Sequence, residues 1–288
     1  MILSIGPIYL SFNGISEENI PQNAKQFITH DEHKVQLSYH FHFVECPPIL
    51  DATWELIFVR KDIRVFQQGS LEARQLLFGE SNIPYAFYIE RNEKEFDVYC
   101  PSTFKEGLQV DTLFFSCLSL ERHLAHFNAY ILHCSYLNYK GQAILFSGPS
   151  GIGKSTHSNL WCQHIPDTHV VNGDRCLIYL KDGHCYATGW PVCGSSGICH
   201  IETLPIHAIV MMGQSPSNQI EHPRPIQLYK LLSSQITINW WNRLFVEQAF
   251  NWIQSFMGIV GVCKYACNMQ PESTSALYNY LKEKQWIN

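Results

Sequence analysis

The chain has 288 residues, 46% of them hydrophobic and 16% charged. That length suits about two domains, and the apolar content excludes a disordered or low-complexity chain. Twenty Lys and Arg against 25 Asp and Glu leave a net charge of −5 with no basic stripe, which excludes a general nucleic-acid binder.

The start, Met1-Ile-Leu-Ser-Ile-Gly-Pro, is short, lacks a basic leader and is interrupted by Pro7. It reads as a first β-strand, not a signal peptide. Residues 1 to about 105 then read as strands and turns. Ile8–Phe12, Val35–Phe43 and Trp54–Val59 alternate as half-buried strands do. Ile83, Tyr85, Phe87 and Ile89 keep period two, and the polar run Glu90–Glu95 predicts a hairpin into Phe96-Asp-Val-Tyr. His40 and His42 share one strand face and read as strand histidines rather than metal ligands. Eleven scattered cysteines include no C-x-x-C pair, so they read as buried, reduced, small hydrophobes. Cys263 and Cys267, four apart in an expected strand, fall on one face. No run reaches the ~18 to 20 apolar residues of a membrane span. The expectation is a cytoplasmic protein with no membrane and no nucleic-acid partner.

From Val110 the period changes. Val110, Leu113, Phe114, Cys117, Leu120, Leu124 and Phe127 predict one helical face. Tyr130–Leu137 predicts a strand, and the wholly apolar Ala143-Ile-Leu-Phe-Ser147 predicts one in the centre of a sheet. Next comes Gly148-Pro149-Ser150-Gly151-Ile152-Gly153-Lys154-Ser155-Thr156, which matches G-x-x-x-x-G-K-[ST] between a strand and a helix start. Glycines let successive N–H groups converge on phosphate oxygens at a helix N-terminus. All nine residues are the expected ATP-binding set: Lys154 for the β- and γ-phosphates, Ser155 for Mg²⁺, Thr156 for the first helical turn. Such a site needs an acid. Val170-Val-Asn-Gly-Asp174 ends an expected strand, where ligand sites of open α/β sheets lie, and Asp174 is the candidate for metal and proton. His133, with an ordinary pKa near neutrality, is a second candidate base.

Four stretches, Leu132-His-Cys-Ser, Phe146–Thr156, Asn172-Gly-Asp-Arg and Ala187-Thr-Gly-Trp-Pro-Val-Cys-Gly, together resemble the HPr kinase/phosphorylase group. These are P-loop kinases sharing their fold with ATP-dependent phosphoenolpyruvate carboxykinase. The ending, Val262–Glu272 and the helix after it, is similar too, so the resemblance spans roughly residues 130 to 285. It implies that Asp174 matches the second of two paired aspartates and His133 the strand histidine that contacts one of them. Gly173 stands where the first aspartate, the general base, would be. Asp174 or His133 would then take the proton, or Asn172 would only position substrate. An Arg-Pro-Gly-Arg-Asn-type stretch is missing, and Gly194-Ser195 replaces a Gly-Lys. Phosphorolysis is therefore not expected, and Arg175 or Arg224 would substitute for the missing cation. Relatives of this kind are often oligomeric, so a homo-oligomer is expected.

Gln227–Ile236 and Trp241–Phe256 predict helices, the second with Leu244, Ala249, Phe250, Ile253 and Met257 on or near one apolar face and dense aromatics that serve packing, an oligomer contact or a peptide groove. The expected fold class is α/β. A β-rich accessory or substrate-recognition domain (1–108) precedes a P-loop nucleotide-binding domain (109–288) with a mixed sheet and flanking helices. The expected activity is an ATP- and Mg²⁺-dependent kinase acting on a hydroxyl, a serine of a protein or peptide, with Asp174, His133 and Lys154 catalytic and Ser155 and Asp174 at the metal. The alternatives are a catalytically impaired nucleotide-binding regulatory or scaffold module, or a small-molecule kinase.

Overall fold

The computed structural model describes residues 1–78 and 83–288. The chain forms two compact units, Met1–Leu120 and Glu121–Asn288, each mixing strands and helices. Among the described residues, no helix is long and apolar enough to cross a membrane.

The first unit contains β1 (Ile2–Ile5), β2 (Ile8–Asn13), α1 (Gln22–Lys25), β3 (Ile28–Thr29), β4 (Leu37–Val44), β5 (Glu55–Arg60), β6 (Ile63–Gln68), β7 (Leu71–Leu77), β8 (Pro84–Glu90), β9 (Glu95–Pro101) and α2 (Asp111–Cys117). Its described strands form one sheet in the order β3-β1-β2-β4-β9-β8-β7-β6-β5. β4 runs parallel to both β2 and β9, and the other pairs are antiparallel. The alternation read in the sequence puts Leu37, Tyr39 and Phe41 inward and leaves His40 and His42 half-buried on the other face. Tyr39 stacks between Phe12 and Phe96, at 5.6 and 4.9 Å. Phe114 brings α2 onto the same face, 5.8 Å from Phe41. His42 is held by Asp97 at 2.5 Å and stacked on Tyr99, and Arg91 grips the same carboxylate. His42 is thus a satisfied strand histidine, whereas the buried Nε2 of His40 has no hydrogen-bond partner among the described residues.

The single helix expected over 110–127 is broken. α2 ends at Cys117, Ser119 turns left-handed at φ 48°, and the short α3 (Glu121–Leu124) follows. The heptad-like spacing of Leu113 to Phe127 survives a break because both fragments bury the same kind of side chain: Phe114, Cys117, Leu120 and Leu124 are all buried.

The second unit continues with β10 (Ala129–Tyr139), β11 (Gln142–Ser147), α4 (Lys154–His164), β12 (Thr168–Asn172), β13 (Arg175–Lys181), β14 (His184–Gly189), β15 (Thr203–Gln214), β16 (Gln219–Glu221), α5 (Pro225–Ser233), α6 (Arg243–Met257), β17 (Gly261–Cys267) and α7 (Pro271–Glu283). Two long strands, β10 and β15, each serve two sheets. The first half of β10 pairs with β13 and its second half with β11 and β12. The first half of β15 pairs with β14, and its second half runs parallel to β11 and β17.

β11 lies between antiparallel β10 and parallel β15 and is buried at all six positions because both faces of the sheet are covered there. Ala143 and Leu145 face a core shared with α5 and α6, where Phe245, Ala249, Trp252, Ile253 and Phe256 are buried at helical spacing. Ile144 and Phe146 face a second core with Trp161 of α4, Tyr265 of β17, and Leu277 and Leu281 of α7. The aromatics of the predicted C-terminal helix therefore mostly serve packing: Trp252 lies 4.8 Å from Tyr130 and donates to the Asn128 carbonyl at 3.0 Å. Helix ends follow local chemistry. The Asn242 side chain caps α6 by accepting from the Phe245 N–H at 3.0 Å, and Pro225 and Pro271 open α5 and α7.

Candidate active site

The glycine loop 148–153 leaves the buried end of β11 and enters α4 directly. Gly151 and Gly153 have φ of 78° and 108°, backbone that side chains resist, so the loop's curvature depends on these two glycines. The Met269 side chain also fills the space a Cβ on Gly153 would need. Lys154 turns inward, is buried, and donates to the Gly148 carbonyl at 2.9 Å and the Pro149 carbonyl at 3.2 Å. Burial pushes its pKa down, partly opposed by Asp174 and Cys134. Ser155 and Thr156 sit exposed at the first turn of α4. α4 is tied to the sheet by Ser158, whose hydroxyl donates to Ser135 Oγ at 2.7 Å.

Beside this loop, β10 and β13 bring together the other expected residues. His133 lies opposite Arg175 in register. Its Nε2 is 3.8 Å from Asp174 Oδ1, beyond hydrogen-bond reach. Its Nδ1 lies 3.3 Å from Gln235 Oε1; a carbonyl oxygen only accepts, so Nδ1 carries the proton and Nε2 keeps its lone pair. Burial pushes the His133 pKa down, and Lys154 and Arg175 push the same way against Asp174 and Gln235. Burial thus favours the neutral ring. Asp174 is partly exposed and accepts from Arg175 Nε at 2.8 Å, which puts Arg175 at the site. Arg224 instead opens α5 as its N-cap, where its backbone N–H donates to Gln227 Oε1 at 3.0 Å.

Asn172 has a different place from the one expected. It is fully buried. Its Oδ1 accepts the N–H groups of Asp174 and Arg175, both at 2.9 Å, and its Nδ2 donates to the carbonyls of Trp190 and Val192 at 2.7 and 3.1 Å. With every polar atom engaged, it cannot position a substrate; it shapes the turn that presents Asp174. Asn172→Ala would strand buried backbone groups at about 1–3 kcal/mol each. It should destabilise the protein by at least about 2 kcal/mol, read as a lower denaturation midpoint.

Several neighbours carried no sequence signal. Gln235 follows α5, about a hundred residues from His133. Ser196, in the turn after β14, occupies the space that a Cβ on Gly173 would need, so an aspartate at 173 would displace that turn. Gly194 of the same turn would bring a Cβ within 2.9 Å of Asp174 Cγ. Cys134 and Cys176 bury their sulfurs 3.3 Å apart beneath the site.

Among the described residues no cluster of three His, Cys, Asp or Glu side chains could hold an ion by itself. Mg²⁺ is usually bound through one or two carboxylates together with substrate phosphates and water, and Ser155 with Asp174 fits that mode.

No protein-family model matches the chain, and no curated protein matches it. Among solved structures it is similar to the Hpr(Ser) kinase/phosphatase from Coxiella burnetii. The two are 12% identical, the alignment covers 54% of this chain and 98% of that one, and the TM-score is 0.30. What this chain can do is therefore read from its own residues.

Proposed function

We propose that the second unit is an ATP- and Mg²⁺-dependent kinase that phosphorylates a hydroxyl, a serine of a protein or peptide. The observation that carries this reading is the glycine loop with its inward lysine, at the end of a buried central strand and beside Asp174, His133 and Arg175. The loop N–H groups and Lys154 bind the triphosphate, Lys154 exchanging two neutral carbonyls for anionic oxygens. Ser155 and Asp174 would hold Mg²⁺, which would supply charge neutralisation on the phosphates.

In the transfer itself, the acceptor oxygen forms a bond to the γ-phosphorus as the bond to the bridging β,γ-oxygen breaks, releasing ADP. The acceptor proton goes to His133 Nε2 or to Asp174. His133 is suited to the task because burial favours its neutral form, its lone pair faces the carboxylate side, and Gln235 fixes its tautomer. Arg175 stands beside the carboxylate as the cation nearest to the developing charge. Most of the acceleration would come from positioning and charge stabilisation.

The test is γ-labelled ATP with Mg²⁺ and serine-bearing peptides. Label should appear on serine. Asp174→Asn should lower turnover by about 10²-fold or more while ATP binding without Mg²⁺ stays within a few-fold. Full activity in that variant would remove Asp174 from the mechanism.

One observation favours a second reading, a nucleotide-binding module without turnover. Gly173 is packed under Ser196, so the site has a single aspartate, and Arg175 already engages it. ATP binding with no label transfer to any acceptor would select this reading.

A further inference from the structure

The parallel strands β11, β15 and β17 end at one edge of the sheet. The first end becomes the glycine loop. Between the other two lies an open cleft of about 520 Å³, lined by Gln214, Ser215, Pro216, Cys267, Asn268 and Met269. Pockets for small organic ligands run from roughly 300 to 1,000 Å³, and in α/β sheets they lie outside the carboxyl ends of strands.

Two contacts join this cleft to the loop. Gln214 Nε2 donates to the Ile152 carbonyl at 3.4 Å, and the Met269 side chain lies over Gly153. The lining contains no Lys, Arg, Asp or Glu. It does contain unused amide capacity. Asn268 Oδ1 accepts from the Gln270 N–H at 3.1 Å, and its NH₂ group makes no bond among the described residues. Gln214 Oε1 is likewise free of partners there. An uncharged cleft with a thioether and two spare amide groups suits a flat, neutral heterocycle: sulfur packs well on aromatic faces, and one donor and one acceptor can meet the edge of a base. It does not suit a phosphate or carboxylate, which would arrive without a countercharge.

We propose that this cleft receives the purine base of the nucleotide, with Met269 against the ring and Asn268 and Gln214 on its edge. The inference rests on the reading of residues 148–156 as the phosphate site, and it identifies a nucleoside triphosphate, as opposed to an inorganic polyphosphate, as the ligand. It also gives Met269 a double position, touching both the loop and the base.

The experiment compares ATP with inorganic tripolyphosphate by calorimetry, on the full chain and on the variant Asn268→Ala, which leaves the Gln214 contact to the loop in place. The wild-type protein should bind ATP at least tenfold tighter than tripolyphosphate. The variant should lose roughly tenfold in ATP affinity and less than threefold for tripolyphosphate, whose binding also reports an intact fold. A second readout avoids mutation of the cleft. With ¹³C-methyl methionine, the Met269 resonance, assigned by Met269→Leu among the chain's 5 methionines, should take a ring-current shift with ATP and none with tripolyphosphate. Equal affinity for the two ligands in the wild type, or ATP binding that leaves both the variant's affinity and the Met269 resonance unchanged, overturns the base site while the phosphate loop stands. If neither ligand binds, the loop reading and the base site fall together.

Discussion

Lys154→Ala should cut phosphoryl transfer by about 10³-fold, the scale of removing one preorganised charge from a developing transition state. Its thermal midpoint should stay level or rise. The two halves of this result have one cause. Lys154 is buried, and among the described residues its ammonium is held by two neutral carbonyls and no carboxylate within ion-pair distance. Burial pushes its pKa below the ordinary lysine value, so at every pH where the amine is charged the folded state carries a desolvation cost. Alanine removes that cost along with the phosphate ligand. Measured kcat and ATP affinity should fall together, with the melting curve unchanged or shifted upward. A variant that melts much lower would mark Lys154 as a structural strut, and undiminished turnover would remove the loop from catalysis.

Acid should weaken the second unit chiefly through His157, with a smaller contribution of the same sign from His133. His157 is fully buried on α4. It receives the Trp161 indole N–H on Nε2 at 3.1 Å, and its Nδ1 lies 3.4 Å from Ser273 Oγ. Phe146 and Tyr265 pack edge-on against its ring at 4.9 and 5.6 Å. Burial lowers its pKa from 6.5 to about 4, and protonating Nε2 would also turn away the Trp161 donor. The unfolded chain takes up this proton near pH 6.5 while the folded chain refuses it until about pH 4. Stability is therefore complete above 6.5 and declines as pH falls through that window, by about 3 kcal/mol at its lower end. For a unit of this size that is roughly 6–12 °C in Tm. His157→Gln, which keeps an acceptor for Trp161, should flatten the dependence. An equally steep loss in that variant would assign the acid sensitivity to other groups.

The glycine loop was legible in the sequence because its chemistry is local. Each of Gly148, Gly151, Gly153, Lys154 and Ser155 is required by a backbone angle or a charge within nine residues of chain, and the apolar run before it declares a strand buried on both faces. The strand alternation of Leu37–Phe43 and the existence of the helix after Trp241 were legible for the same reason, since period two and period 3.6 each describe one element against one surface; the expected face of that helix is turned, however, for Phe245, Trp252 and Phe256 join Ala249 and Ile253 in the core while Leu244 is exposed. The helix expected through 119 was not secured by its spacing. Periodicity reports which side chains are buried, while one left-handed residue, Ser119, can interrupt the axis without changing that list.

Other features depend on contacts that no window of sequence contains. Asn172 looked like a residue facing substrate because it precedes Asp174 at a strand end; only the return of Trp190 and Val192 to the same corner consumes its amide. Gly173 looked like a lost aspartate. In three dimensions it is also the residue that lets Ser196 close over the turn. Gln235, which fixes the His133 tautomer, and Met269, which covers Gly153, come from elements about a hundred residues away. Thus the sequence by itself determined that the chain carries a phosphate-shaped loop between a buried strand and a helix, with an acid, a histidine and an arginine in its later strands. Tertiary structure alone decided which of these meet, because β10 and β15 each divide their length between two sheets. Hydrogen-bond pairing between distant strands, not local propensity, sets those positions.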